Sequence, residues 1–146
     1  MELKLTEAQY KTLLKSITIS SWITSILTEN DEIDVSDIDE LEQYILSQSE
    51  EFNSKESVFF DEEMNTYFAT QEIEESVVPI IDTYEEYCFW DEITHRLARR
   101  DLIQEEGEEA VINMDPLNRM ELEEEYLVKY SEEFSQYGIH RLTISN

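Results

Sequence analysis

Charge is the first constraint on any fold this chain adopts: 36 Asp and Glu stand against 10 Lys and Arg, a formal charge of −26 over 146 residues. Two carboxylates about 7 Å apart in water repel by roughly 0.6 kcal/mol before salt screens them. Summed over many neighbours, that is a sizeable part of the roughly 5–15 kcal/mol by which domains are stable. The fold must keep its carboxylates in water and bury enough apolar surface to outweigh their repulsion. The same charge repels bare nucleic acid and anionic membrane surfaces, so neither is expected as a direct partner.

Material for a core is present, since 40% of the residues are hydrophobic and 11% aromatic, arranged in long amphipathic segments. The length suits a single domain, residues 1–146, burying roughly 68–70% of the surface its unfolded chain exposes. With two glycines and two prolines, long helices are favoured over tight turns. Cys88 is the sole cysteine, so no intramolecular disulfide forms. The N-terminus lacks a basic segment leading into an apolar run, and the apolar stretch 17–27 is interrupted by Ser and Thr. Neither a signal peptide nor a membrane span is expected, and the cytoplasm is the expected compartment.

The pattern predicts a mainly α fold, a compact bundle of four to five helices, with a small two-stranded pairing of the termini through residues 2–5 and 140–144. Thr6 and Gln9 form a capping box that opens the first helix. Tyr10, Leu13, Leu14 and Ile17 share one of its faces, whereas Ile19, Trp22, Ile23 and Ile26 lie nearly opposite, which predicts a central helix packed on both sides. After an acidic connector, Ser36 is read as the N-cap of a second helix with an apolar stripe of Ile38, Leu41, Ile45 and Phe52. Residues 53–81 fit either helix or strand, and 77–81 reads as extended because Val78 precedes Pro79. A long helix follows from an Asp82 cap to Glu106, ended by Gly107, with Phe89, Trp90, Ile93 and Leu97 as a core stripe. Asp115-Pro116 opens the last helix, whose inner side carries Met120, Tyr126, Leu127, Tyr130, Phe134 and Tyr137 up to Gly138.

The charge is uneven. Between Glu29 and Glu92 lie 22 Asp or Glu and a single cation, Lys55. Part of this is ordinary helix chemistry, because carboxylates favour the positive end of a helix dipole. The remainder suggests an acidic partner-binding face formed by Asp31, Glu32, Asp34, Asp37, Asp39, Glu40, Asp61, Glu62, Glu63, Glu72, Glu74 and Glu75. Carboxylates at helical spacings lie about 5–6 Å apart, close enough to imitate a phosphate row. A charge of −26 matches that of roughly 44 Å of duplex. An EF-hand reading of the 30–41 stretch fails, with Val35 at the glycine position and Leu41 at the bidentate glutamate.

Two further constellations stand out. Arg96, Arg99 and Arg100 form a basic anchor, which either pairs with carboxylates of neighbouring helices or receives an acidic or phosphate group of a partner. Cys88, Asp91 and His95 share a helical face at spacings that suit a metal or an Asp-oriented histidine, although one helix supplies only part of a metal sphere. No glycine-rich phosphate loop, nucleophile elbow or HExxH is present.

The expectation is a non-enzymatic acidic interaction protein without cofactor: a DNA-mimic-type inhibitor or regulator whose partner is a basic, nucleic-acid-binding protein. Alternatives are an immunity-type inhibitor of a toxin nuclease, a carboxylate and histidine metal-binding protein or metal enzyme, and a protein whose charge serves solubility alone. Composition leaves the oligomeric state open.

Overall fold

The helix starts and stops follow local chemistry. In the computed structural model, which describes residues 4–28 and 33–143, Thr6 N–H donates to Gln9 Oε1 at 2.9 Å and Gln9 N–H returns to Thr6 Oγ1 at 3.3 Å, opening α1 (Glu7–Thr28). Then come α2 (Ser36–Ser47), a hairpin of β1 (Val58–Asp61) and β2 (Thr66–Ala69), α3 (Gln71–Glu106), α4 (Glu108–Asn113) and α5 (Pro116–Tyr137). The described residues are thus mainly α, with five α-helices and one hairpin. They pack as two units, one within residues 1–83 and one within 84–146, and α3 contributes to both.

In the first unit, Tyr10, Leu14, Leu46, Val58 and Ile73 form the core, with Ile45, Phe52, Tyr67 and Ala69 packed against it. The Tyr10 ring stacks on Phe52 at 4.6 Å and its hydroxyl donates to the Ile45 carbonyl at 2.7 Å. Burial pushes that phenol up to about 12. The second stripe of α1 does not form a second packed side, because Ile23 and Ile26 stay exposed. The intervening hydroxyls satisfy themselves on the helix, Thr18 Oγ1 to Leu14 O at 2.9 Å and Ser21 Oγ to Ile17 O at 3.1 Å.

The second helix is turned relative to the predicted stripe. Leu41 is 57% exposed and Ile38 is also exposed, whereas Val35 and Leu46 are buried and Gln43 is half-buried. Ser36 is the first helical residue rather than the cap; Val35 holds the cap position, and Asp34 Oδ1 accepts the Ser36 N–H at 3.0 Å. Inward rotation of Gln43 has a cause in the hairpin. Its amide accepts from Tyr67 N–H at 2.8 Å and donates to Tyr67 C=O at 3.0 Å, pairing with the outer edge of β2 as a neighbouring strand would.

The undecided stretch 53–81 resolves into that hairpin and the start of α3. Asp61 Oδ1 accepts the N–H groups of Glu63 and Met64, both at 2.9 Å, and Asn65 takes φ of +53°, which closes the loop. The extended reading of 77–81 is overturned: Pro79 lies inside α3, and Asp82 is an interior residue rather than a cap. Ile73, Val77 and Ile81 recur every fourth residue and are buried. Burying three such side chains contributes about 5 kcal/mol or more, which outweighs the cost of about 3 kcal/mol for an interior proline.

In the second unit, α3 ends at Gly107, whose φ of +88° suits glycine and whose N–H bonds to Ile103 O at 2.9 Å. Asp115 accepts from Leu117 and Asn118 N–H at 3.0 and 3.3 Å, with Pro116 in the first turn of α5. Ala98, Tyr130 and Phe134 form the core, supported by Trp90, Ile93, Leu97, Tyr126 and Leu127. Phe89, Met120 and Tyr137, expected inside, are exposed. The expected C-terminal strand is instead a pair of turns after Gly138, with His140 N–H to Tyr137 O at 3.2 Å and Leu142 N–H to Ile139 O at 3.0 Å. Residues 2, 3 and 144 of the expected terminal pairing lie outside the described residues, and the two-stranded sheet found lies within 58–69. No helix among the described residues is long and apolar enough to cross a membrane.

Two stability measurements follow from this packing. Pro79→Ala should raise unfolding free energy by about 1–3 kcal/mol in urea titration, since it restores a helical N–H and removes a steric clash. Gln43→Leu should lower it by about 1–3 kcal/mol and expose the Tyr67 amide to hydrogen exchange, because both Tyr67 backbone groups lose their partner.

Candidate interaction surfaces

Of the twelve residues of the expected acidic face, Asp31 and Glu32 lie outside the described residues. The other ten fall at three places in the first unit. Asp34, Asp37, Asp39 and Glu40 flank the start of α2; Asp61 ends β1 and Glu62 and Glu63 follow in the hairpin loop; Glu72, Glu74 and Glu75 sit in the first turns of α3. All but the half-buried Asp61 are exposed. The loop and the start of α3 stand at opposite ends of β2, about 13 Å apart for a four-residue strand. The hairpin therefore holds these two groups apart rather than gathering them at one point. Some have structural tasks as well: the hydrogen bond from the Ser36 backbone lowers the Asp34 pKa.

Few cations offset them. Residues 1–83 hold 20 Asp and Glu against 4 Lys. Lys11 bridges Glu7 at 2.9 Å and Glu56 at 2.8 Å, and Lys55 pairs with Glu50. The hydrogen bonds from these lysines hold Glu56 and Glu50 below their usual range. Beside the loop carboxylates the hairpin exposes aromatic rings. Phe59 stacks across the strands on Phe68 at 5.5 Å, Phe60 meets Tyr67 at 4.7 Å, and Phe59, Phe60 and Met64 are exposed.

The three arginines share a groove in the second unit. Arg96, Arg99 and Arg100 line a volume of about 690 Å³ together with His95, Ile103, Gln104 and Glu123. Arg96 pairs with Glu92 and Arg100 with Asp101, both on α3, and Arg99 lies 3.9 Å from Glu123 of α5. Asp101, absent from the sequence-derived candidates, is the hub: it accepts from Arg100 at 2.7 and 2.9 Å, from Lys129 at 3.4 Å, and from the Tyr130 hydroxyl. Burial pushes the Asp101 carboxyl up, but the hydrogen bonds from Tyr130 and Arg100 outweigh it and leave its pKa lowered. Burial and the Asp101 contact raise the Tyr130 phenol in turn. Nearby, Tyr126 donates to Glu105, which pushes its phenol up to about 12.

Cys88, Asp91 and His95 do not assemble into a ligand set. His95 Nε2 stands 3.8 Å from Asp91 Oδ1 as an exposed helical pair, and the half-buried Cys88 interacts with Tyr84, whose phenol that contact raises. Among the described residues, no three His, Cys, Asp or Glu side chains are placed to hold a metal ion.

Sequence reasoning missed Gln43, Asp101 and the aromatic hairpin. For the hairpin a signal existed: two short aromatic runs, Val58-Phe59-Phe60 and Tyr67-Phe68, flank a loop containing Asn65, a residue that tolerates positive φ. Comparison with known proteins adds no relative, since no family model, curated protein or solved structure matches the chain.

The Asp101 network carries a pH signature. A carboxylate whose folded pKa is lowered contributes stability that is complete above its unfolded value, near 3.8, and lost as pH falls through the lower folded value. Tyr130→Phe should cost about 2 kcal/mol at pH 7, and in denaturation series that cost should shrink once Asp101 is protonated.

Proposed function

We propose that this chain is a non-enzymatic interaction protein whose first unit offers its carboxylates to a basic, nucleic-acid-binding protein, as an inhibitor or regulator that imitates nucleic acid. The observation that carries this reading is the set of exposed carboxylates at the α2 start, the hairpin loop and the α3 start. All three groups lie in the stretch between Lys15 and Arg96, where Lys55 is the single Lys or Arg of the sequence. Such a surface speeds encounter with a cationic protein and weakens steeply with salt. A basic nuclease belongs to the same partner class, so an immunity-type inhibitor is the form this function takes if the target cleaves nucleic acid.

The test is competition. Labelled duplex DNA bound to a lysine-rich, sequence-nonspecific DNA-binding protein should be displaced by the chain at about 50 mM salt, and at least tenfold less effectively at about 200 mM. A variant carrying Glu62→Gln, Glu63→Gln, Glu72→Gln, Glu74→Gln and Glu75→Gln should compete at least tenfold more weakly while staying folded by circular dichroism. Absence of displacement at low salt, read by fluorescence anisotropy, would overturn the proposal.

A further inference from the structure

The hairpin has one sealed edge and one open edge. Its register pairs Val58 with Ala69, Phe59 with Phe68, Phe60 with Tyr67 and Asp61 with Thr66, and Thr70 N–H continues the ladder to Ser57 O at 3.0 Å. In an antiparallel ladder the hydrogen-bonded pairs alternate with pairs whose backbone groups point outward. Val58 and Phe60 on β1, like Tyr67 on β2, therefore direct their N–H and C=O away from the partner strand. On β2 the Gln43 amide takes both Tyr67 groups. On β1 the Val58 N–H bonds to Lys55 O, while the Val58 C=O and both backbone groups of Phe60 have no partner among the described residues.

We infer that this open β1 edge docks an extended, lysine- or arginine-bearing strand of the basic partner, by backbone pairing at Phe60. The inference rests on the acidic-surface reading above and names where and how the partner engages. Three features select the occupant. An added strand would lay alternate side chains beside Phe59 on one face and Phe60 on the other, both exposed. The aliphatic stems of Lys or Arg cover such rings while their charged ends reach outward. Those ends would meet the carboxylates of Asp61 at the strand end and of Glu62 and Glu63 in the adjoining loop. A second copy of the chain is disfavoured at this edge, since each carries −26. The edge strand has neither Lys nor Pro, the residues that commonly block strand addition.

The probe is a capped peptide of alternating lysine and valine, together with two forms of it N-methylated at one or the other alternating set of residues, with unchanged charge. With the full chain and ¹⁵N spectroscopy, the unmodified peptide should slow hydrogen exchange of the Phe60 amide at least tenfold. One of the two methylated forms should bind at least tenfold more weakly. Equal binding of all three, with shifts spread over Glu72, Glu74 and Glu75 and Phe60 unprotected, would refute edge docking and leave the acidic-surface reading standing. Failure of every peptide to bind, combined with failure to displace DNA, would remove both. A sedimenting dimer with Phe60 already protected in the absence of peptide would assign the edge to a second copy and overturn the inference as well.

Discussion

Mutual repulsion among carboxylates is the constraint that the remaining structure answers to. With 36 acidic groups and 10 cations, most carboxylates have no counterion within the chain and must face water. Three of them accept backbone N–H groups where the chain changes direction. Asp34 accepts an N–H before α2, Asp61 two in the hairpin loop, and Asp115 two at the start of α5. At these positions a negative charge is locally favourable, because it meets backbone donors that would otherwise lack a partner. Acidity and helix formation are in this sense compatible.

The apolar cores are small, and each is reinforced by a polar contact placed against it. In the first unit the Tyr10 hydroxyl closes on the Ile45 carbonyl, and the Gln43 amide binds the Tyr67 backbone. In the second, Tyr130 contributes its ring to the core and its hydroxyl to Asp101. The arrangement of α2 shows which demand prevails. Exposing Leu41 sacrifices apolar burial, but turning Gln43 inward satisfies both backbone groups of Tyr67 on the outer edge of β2. A buried backbone group without a partner costs about 1–3 kcal/mol, comparable to the burial of one aliphatic side chain, and two such groups are served at once.

The same hairpin links architecture to the proposed function. Its β1 end and loop contribute three of the carboxylates of the acidic surface, its strands expose aromatic rings, and Gln43 closes one of its edges. The arginine groove contrasts with it, because Arg96 and Arg100 are engaged by carboxylates on their own helix and Arg99 lies beside Glu123. Its cations have carboxylates beside them within the second unit, whereas few cations offset the carboxylates of the first. That asymmetry is the physical basis for seeking the partner at residues 1–83.

Local chemistry was legible in the sequence wherever it is decided within a turn of the chain. The Thr6–Gln9 capping box, the Gly107 and Gly138 stops and the Asp115-Pro116 start depend on neighbouring backbone donors or on positive φ, and all are readable from adjacent residues. The acidity of the candidate surface was equally plain. Distant partners decided the rest. Periodicity assigned Ile38 and Leu41 to the core of α2, but the side facing inward was chosen by Tyr67, which lies 24 residues beyond Gln43. Pro79 signalled an extended segment, yet burial of Ile73, Val77 and Ile81 outweighed that local preference. Sequence by itself thus determined the helical character, the boundaries at Thr6, Gly107, Asp115 and Gly138 and the surplus of charge, because these rest on short-range sterics and composition. Only tertiary structure decided which faces are buried, how Asp101 is held and which strand edge stays open, because those depend on hydrogen-bonding groups meeting across long loops.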